Sequence, residues 1–277
     1  MDVTIIKSLI HCGLIFLCAG ALTLSGCGAT SRTSGMVPIE SGRNECVILL
    51  HGLGRTNQSM GRMQKALARA GFHTVNLDYP SRKQSIEQLA QNHIPKAVSH
   101  CREFHSDKTH FVTHSLGGIV ARMAFEQQRP DRLGRVVMLS PPNQGSEAAD
   151  VLQKRWTYRW INGPAGQELS TSPDSTPNRL GPADYPVGII IGNKQTLFDG
   201  WVASLFSGKD GSVVFPGPND GKISIERAKL TGMTDFMVVP ENHTHIMQSE
   251  YVQYQTIEFL THGKFSRDHS GAWADQQ

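Results

Sequence analysis

Six short apolar runs alternate with segments of helical periodicity, and that alternation limits the architectures the chain can adopt. Cys46–Leu50 is continuously apolar and stops at His51-Gly52. Met60, Met63 and Leu67 then recur at the spacing of one helix face, and Gly71 ends that helix. His73–Asp78 alternates Val75 and Leu77 with polar residues, and Pro80 closes it. Ile86, Leu89 and Ala90 open a second helix, which Pro95 is expected to break or restart. His110–Thr113 reads as a strand feeding a helix that carries Ile119, Val120, Met123 and Ala124. Arg135–Leu139, Val187–Ile191 and Phe236–Val239 are three further strands, and Gln253–Leu260 is a closing helix. Strands separated by helices predict an α/β fold, a mainly parallel sheet with helices on both faces. Ligands of such sheets bind beyond the C-terminal ends of the strands.

Composition removes other classes. With 39% hydrophobic and 18% charged residues the chain is not disordered. Its 27 glycines follow no three-residue period, and there is no internal repeat. A scattered net charge of +3 gives no basis for a nucleic-acid partner. The 277 residues suffice for a large core without staples.

Lys7 precedes an apolar run from Leu9 to Leu24, broken by His11, Gly13, Gly20 and Thr23. The run is shorter than the ~20 residues of a spanning helix and has the layout of a secretory signal peptide, although Asp2 weakens its basic start. It ends Leu24-Ser25-Gly26-Cys27, which resembles the bacterial lipobox. The resemblance implies cleavage before Cys27, a diacylglycerol on its thiol, and a membrane anchor. Gly28 rather than Asp after the cysteine implies the outer membrane, facing the periplasm. An uncleaved anchor and an ordinary signal with a chance cysteine are the alternatives. The expected organisation is a signal peptide over 1–26, a flexible tether over 27–44, one domain over 45–265 and a polar, frayed tail over 266–277.

Two strand ends carry chemistry. In Thr113-His-Ser-Leu-Gly-Gly118 a strand enters a sharp turn at Ser115 and a helix leaves it, the pattern of a nucleophile elbow, usually Gly-x-Ser-x-Gly. Gly117 and Gly118 suit the turn, and Thr113 departs from the pattern because its branched Cβ crowds it. The bland alternative is a helix N-cap serine beside a packing glycine pair. His51-Gly-Leu-Gly54 closes the first strand with glycines that let backbone donors approach a developing oxyanion, or is a plain turn. The N–H groups of Leu53 and Leu116 are the candidate donors.

With Leu49-Leu-His-Gly-Leu-Gly54, His114-Ser-Leu-Gly-Gly118, Asn219-Asp-Gly-Lys-Ile-Ser-Ile-Glu-Arg227 and His243-Thr-His-Ile-Met247, the chain resembles the α/β-hydrolases, in their lipase and carboxylesterase branch, from about Cys46 to Phe265. The resemblance implies the α/β-hydrolase fold without its N-terminal antiparallel pair, and the chain order nucleophile, acid, base. Ser115, Asp220 and His243 have that order. Asp199 and Asp210 are rival acids, and His245 is a rival base. His-x-His can bind zinc, but no His-Glu-x-x-His or cysteine pair completes a site, so neither metal nor cofactor is expected. His93, His100, His105 and His110 read as surface or capping residues.

The implied reaction is hydrolysis of a small-molecule or lipid ester through an acyl-enzyme. An acyltransferase or an amide or thioester hydrolase would use the same triad. The departure at Thr113 also leaves open a non-catalytic envelope binding protein. In the hydrolase sheet the strands associated with Cys46 and Cys101 are neighbours. With export to an oxidising compartment, this motivates a disulfide, against two buried free thiols. Residues 141–186 exceed an ordinary loop. Leu152, Trp156 and Trp160 recur there at helical spacing, either on a helix packed on the body or on a cap over an acyl pocket.

Overall fold

The computed structural model describes residues 44–152, 156–195 and 217–267, with side chains outside 151–161. The leader with Cys27, the tether up to residue 43, the rival acids Asp199 and Asp210 and the tail from 268 lie outside the described residues, as do the side chains of the Leu152–Trp156–Trp160 stripe.

Every apolar run forms a strand. The strands are β1 (Glu45–Leu50), β2 (His73–Leu77), β3 (Lys108–His114), β4 (Leu133–Leu139), β5 (Val187–Gly192) and β6 (Asp235–Val239). They form one sheet in the order β2-β1-β3-β4-β5-β6, and every adjacent pair is parallel. β1 and β5 are buried on both faces, whereas the edge strand β6 leaves Val238 exposed. In β1, Cys46, Ile48 and Leu50 enter the core under α2 (Ile86–Glu103) and α3 (Leu116–Gln128). Val47 and Leu49 enter the opposite core, under α1 (Gly61–Arg69) and a C-terminal helix over Glu250–His262. All five side chains are fully buried. Each buried Leu, Ile or Val side chain contributes roughly 1.5–3 kcal/mol.

α2 does not break at Pro95. Ser85 caps it with a reciprocal pair, Ser85 Oγ accepting the Gln88 N–H and Gln88 Oε1 accepting the Ser85 N–H. Ile86, Leu89, Ala90, Ile94, Ala97, Val98 and Cys101 line one buried face through the proline. Pro95 itself is exposed. The burial of that face outweighs the ~3 kcal/mol a proline costs inside a helix.

His110 is not a surface or capping residue. It is fully buried in β3, where Nδ1 accepts the Arg135 N–H at 2.9 Å. Its Nε2 stands 3.6 Å from the Glu45 carboxylate. Space for the ring exists because residue 134 is glycine; a Cβ there would sit 2.7 Å from it. Burial pushes its pKa down to about 4, against the opposing pull of Glu45. His105 is exposed. His100 faces Glu103, and the half-buried His93 faces Gln84.

The long connection from β4 to β5 contains α4 (Glu147–Leu152), α5 (Trp156–Gln167) and α6 (Thr176–Arg179). Gly163, at φ 63° and ψ −168°, breaks α5 before Pro164. Beyond β5 come α7 (Ile225–Ala228), β6 and α8 (Glu250–His262). The start of the tail is pinned: the Ser266 N–H donates to Gln255 Oε1 at 2.8 Å, and Arg267 pairs with Asp235. Among the described residues no helix is long and apolar enough to cross a membrane.

Cys46 in β1 and Cys101 in the last turns of α2 are joined as a disulfide, with Cα atoms 5.7 Å apart and a sequence separation of 55. Closing a loop of that length in the unfolded chain corresponds to about 4 kcal/mol. Reduction is therefore expected to lower Tm by roughly 10 °C while leaving turnover at low temperature nearly unchanged. Thermal melts with and without reductant, and alkylation mapping of the unfolded, unreduced protein, check this. Free thiols at Cys46 and Cys101 would refute it.

Candidate active site

The strand order changes direction at β1. The chain leaves β1 for β2 on one side and returns to β3 on the other, which opens a crevice at their C-terminal ends. Leu50 pairs with Thr113 across that crevice, so the His51–Gly54 loop lies beside Ser115.

Ser115 has φ 52° and ψ −121°, outside the comfortable regions for a side-chain-bearing residue. It occupies the N-cap position of α3, but its side chain makes no capping bond. The elbow closes tightly because a Cβ at Gly117 would sit 2.7 Å from the Leu50 carbonyl oxygen. Thr113 is buried within the turn. Its hydroxyl lies 3.3 Å from the position a Gly118 Cβ would take. The glycine pair thus vacates the room that Thr113 needs.

Ser115 Oγ–H donates to His243 Nε2 at 3.1 Å. His243 Nδ1–H donates to Asp220 Oδ2 at 2.8 Å. Asp220 Oδ1 accepts the backbone N–H groups of Ile223 and Lys222 at 2.8 and 3.0 Å, and the Asp220 carbonyl accepts the His243 N–H. Burial alone would raise the Asp220 pKa. The pull of His243 and the N–H of Ile223 together outweigh burial and hold the carboxyl below its usual value. An ionised carboxylate only accepts hydrogen bonds, which leaves the His243 Nε2 lone pair facing Ser115. His245 is exposed and turned onto Asn242.

Leu116 opens α3, so its N–H is one of the donors a helix start leaves unclaimed. In the facing loop, Gly54 N–H is used by Ser81 Oγ and Arg55 N–H by the Gly52 carbonyl. Among the described residues no acceptor claims the Leu53 N–H.

Three supporting residues were not singled out from the sequence. His114 is buried, and its Nε2–H donates to the His243 carbonyl at 2.9 Å. Burial, then the neighbouring His243, pushes its pKa well below 6.5. His51 is buried and stacks on Tyr79 with centroids 4.1 Å apart. Its Nδ1–H donates to the Gly52 carbonyl at 2.9 Å, and Tyr79 Oη–H donates to the His51 carbonyl. Burial lowers the His51 pKa, with Asp78 opposing. Ser140 follows β4 with φ 48° and is fully buried. Its hydroxyl helps hold Asp220 ionised but stands outside strict hydrogen-bond geometry. The available signal was the first polar residue after each apolar run.

Ser115 and His243 open into a cleft of about 310 Å3. A wider hollow of about 570 Å3, against α2 and the end of α3, is bordered by no triad residue. Among the described residues no group of three or more His, Cys, Asp or Glu is arranged to hold a metal.

Residues 45–175 match the family model described as the alpha/beta hydrolase fold. The mature lipase BlEst2 of Bacillus licheniformis is similar at 20% identity and TM-score 0.59, covering 81% of this chain and 95% of that one. The fold is that of the α/β-hydrolases. Phospholipase PlaB of Legionella pneumophila matches at 16% identity and TM-score 0.56, covering 78% of this chain and 57% of that one. Lipase B of Aspergillus fumigatus matches at 13% identity and TM-score 0.56, covering 82% and 55%. At these identities the likeness is one of fold. No curated protein matches the sequence.

The buried histidines His51 and His114, together with His110 in β3, make the fold sensitive to acid. His51 and His114 have folded pKa values below 6.5. The unfolded chain binds protons there below about 6.5, so the stability these sites contribute is complete above that pH and is lost as pH falls towards their folded values. Asp220 adds a further loss below the ordinary carboxylate range of about 3.9. Tm should fall progressively from pH ~6.5 downward, with a shallower slope in His114→Gln. A flat Tm to pH ~4.5 contradicts this assignment.

Proposed function

We propose that the protein is a serine-dependent carboxylic ester hydrolase, an esterase or lipase acting through an acyl-enzyme. The supporting observation is the unbroken chain Ser115–His243–Asp220, at 3.1 and 2.8 Å, opening into a cleft. Ser115 Oγ attacks the ester carbonyl carbon, and its proton passes to His243 Nε2. The carbonyl oxygen becomes an oxyanion held by the N–H groups of Leu53 and Leu116, each such donor contributing roughly 3–4 kcal/mol in the transition state. The C–O bond breaks, and His243 gives its proton to the departing alcohol oxygen. Water then attacks the acyl-enzyme, with His243 taking its proton and returning one to Ser115. Asp220 holds the imidazole tautomer and stabilises the imidazolium. The likeness to solved lipases lends support to an ester as substrate. On Leu24-Ser-Gly-Cys27 we place the enzyme on a lipid anchor at Cys27 in the bacterial outer membrane. Two acyl signals suffice for stable attachment.

Ser115→Ala and His243→Ala should each lower kcat for 4-nitrophenyl esters at least about 10⁴-fold, with melting curves retained. His245→Ala should cost far less. Wild-type turnover in Ser115→Ala, or the reverse order of the two histidines, would overturn the assignment. Cys27→Ser should block lipid attachment, so that the protein stays as uncleaved precursor or loses outer-membrane fractionation, and radiolabelled palmitate on the variant would refute the anchor.

A further inference from the structure

Among the described residues that line the cleft at Ser115, the fixed charges are of one sign. Arg55 and Lys222 both line it, and no carboxylate of a described residue does. Arg55 leaves the oxyanion loop and brings Nη2 within 3.5 Å of the Thr244 carbonyl, one residue from His243. Lys222 lies on the other side, two residues after Asp220, and is exposed. None of the nearby helix carboxylates lines the cleft, and each accepts a hydrogen bond within the fold. Glu147 accepts from Ser224 Oγ at 2.6 Å and faces Arg227. Asp150 accepts the Thr171 N–H at 2.8 Å. Glu168 accepts the Ile86 N–H and the Thr176 hydroxyl at 3.0 and 2.7 Å. Leu53, Ala149, Leu169 and Ile223 supply the apolar part of the same cleft. Both cations are also close enough to His114 to push its pKa down, after burial and His243.

We propose that the site selects esters whose alcohol portion carries a negative charge, with Arg55 and Lys222 receiving the anion. The inference rests on the hydrolase reading above. The leaving oxygen must lie at His243 Nε2 to take its proton. The Arg55 guanidinium stands against the backbone beside that histidine and lines the same cleft, so a charged substituent on the leaving group shares the cleft with it. A phosphate- or carboxylate-bearing alcohol would accept from the planar guanidinium fork and from the ammonium. The same chemistry is offered by an anionic lipid headgroup and by a small anionic ester.

The test compares kcat/KM for 4-nitrophenyl butyrate and for 3-butyryloxy-4-nitrobenzoate, which carries a ring carboxylate on its leaving group. The readout is the anionic-to-neutral ratio within each protein, so differences in intrinsic reactivity cancel between proteins. The ratio should be about tenfold higher in wild type than in Arg55→Gln/Lys222→Gln, mainly through KM. In wild type alone it should collapse as salt rises from about 0.01 M to about 1 M. This second measurement does not depend on the variant folding. A ratio equal in wild type and variant and insensitive to salt overturns the proposal while leaving the hydrolase intact. Turnover of neither ester overturns the hydrolase reading and this inference with it. A second pair, lysophosphatidylglycerol against monoacylglycerol of the same chain length, separates the two sources. Preference for the phospholipid assigns a lipid headgroup, and preference confined to the nitrophenyl pair assigns a small anionic ester.

Discussion

The first turn of α3 packs against the end of β1 with no room for a side chain: a Cβ at Gly117 would approach the Leu50 carbonyl to 2.7 Å. This contact holds the Ser115 elbow against the strand that leads into the His51–Gly54 loop. Because β1 and β3 are parallel and registered Leu50 to Thr113, the serine and the two candidate oxyanion donors emerge at the same level. The strained backbone at Ser115 persists because buried residues on both faces of the sheet over-determine it. The geometry of the candidate site is thus a consequence of sheet register, with β4, β5 and β6 supplying the remaining strand ends for Ser140, Asp220 and His243.

Electrostatics complete the arrangement. Asp220 is fully buried, yet two backbone donors and His243 keep it ionised. Behind it, His51 and His114 are buried and held neutral, mainly by loss of solvent. They act as shaped hydrogen-bond donors to the main chain of the oxyanion loop and of His243. A cationic residue in either place would oppose a positive charge on His243. The cations of the site, Arg55 and Lys222, stand instead at the cleft wall.

Most of the fold was legible because apolar runs report burial on both sheet faces and helical spacing reports burial on one. Pro95 was misread as a break because local propensity is blind to the buried face that carries α2 through it. His110 was misread because its burial depends on the absence of a side chain at Gly134 on the adjacent strand, a relation no local window contains. Ser115 stood out through its strand–turn–helix pattern, and Asp220 and His243 through the resemblance of their surroundings to α/β-hydrolase motifs. His51, His114 and Ser140 did not, since their role lies in hydrogen bonds or electrostatic contact with distant chain segments. The Thr113 departure that weakened the elbow reading is accommodated by Gly118, a compensation visible only with both residues in place.

The central claim is that Ser115 is a nucleophile activated by His243. A fluorophosphonate probe tests it without knowledge of the substrate, because phosphonylation needs an activated hydroxyl and a formed oxyanion site. Digestion and peptide mapping after labelling should place the adduct on Ser115, with labelling lost in Ser115→Ala and strongly slowed in His243→Ala. A folded protein that takes up no probe, or takes it up on another residue, would contradict the account.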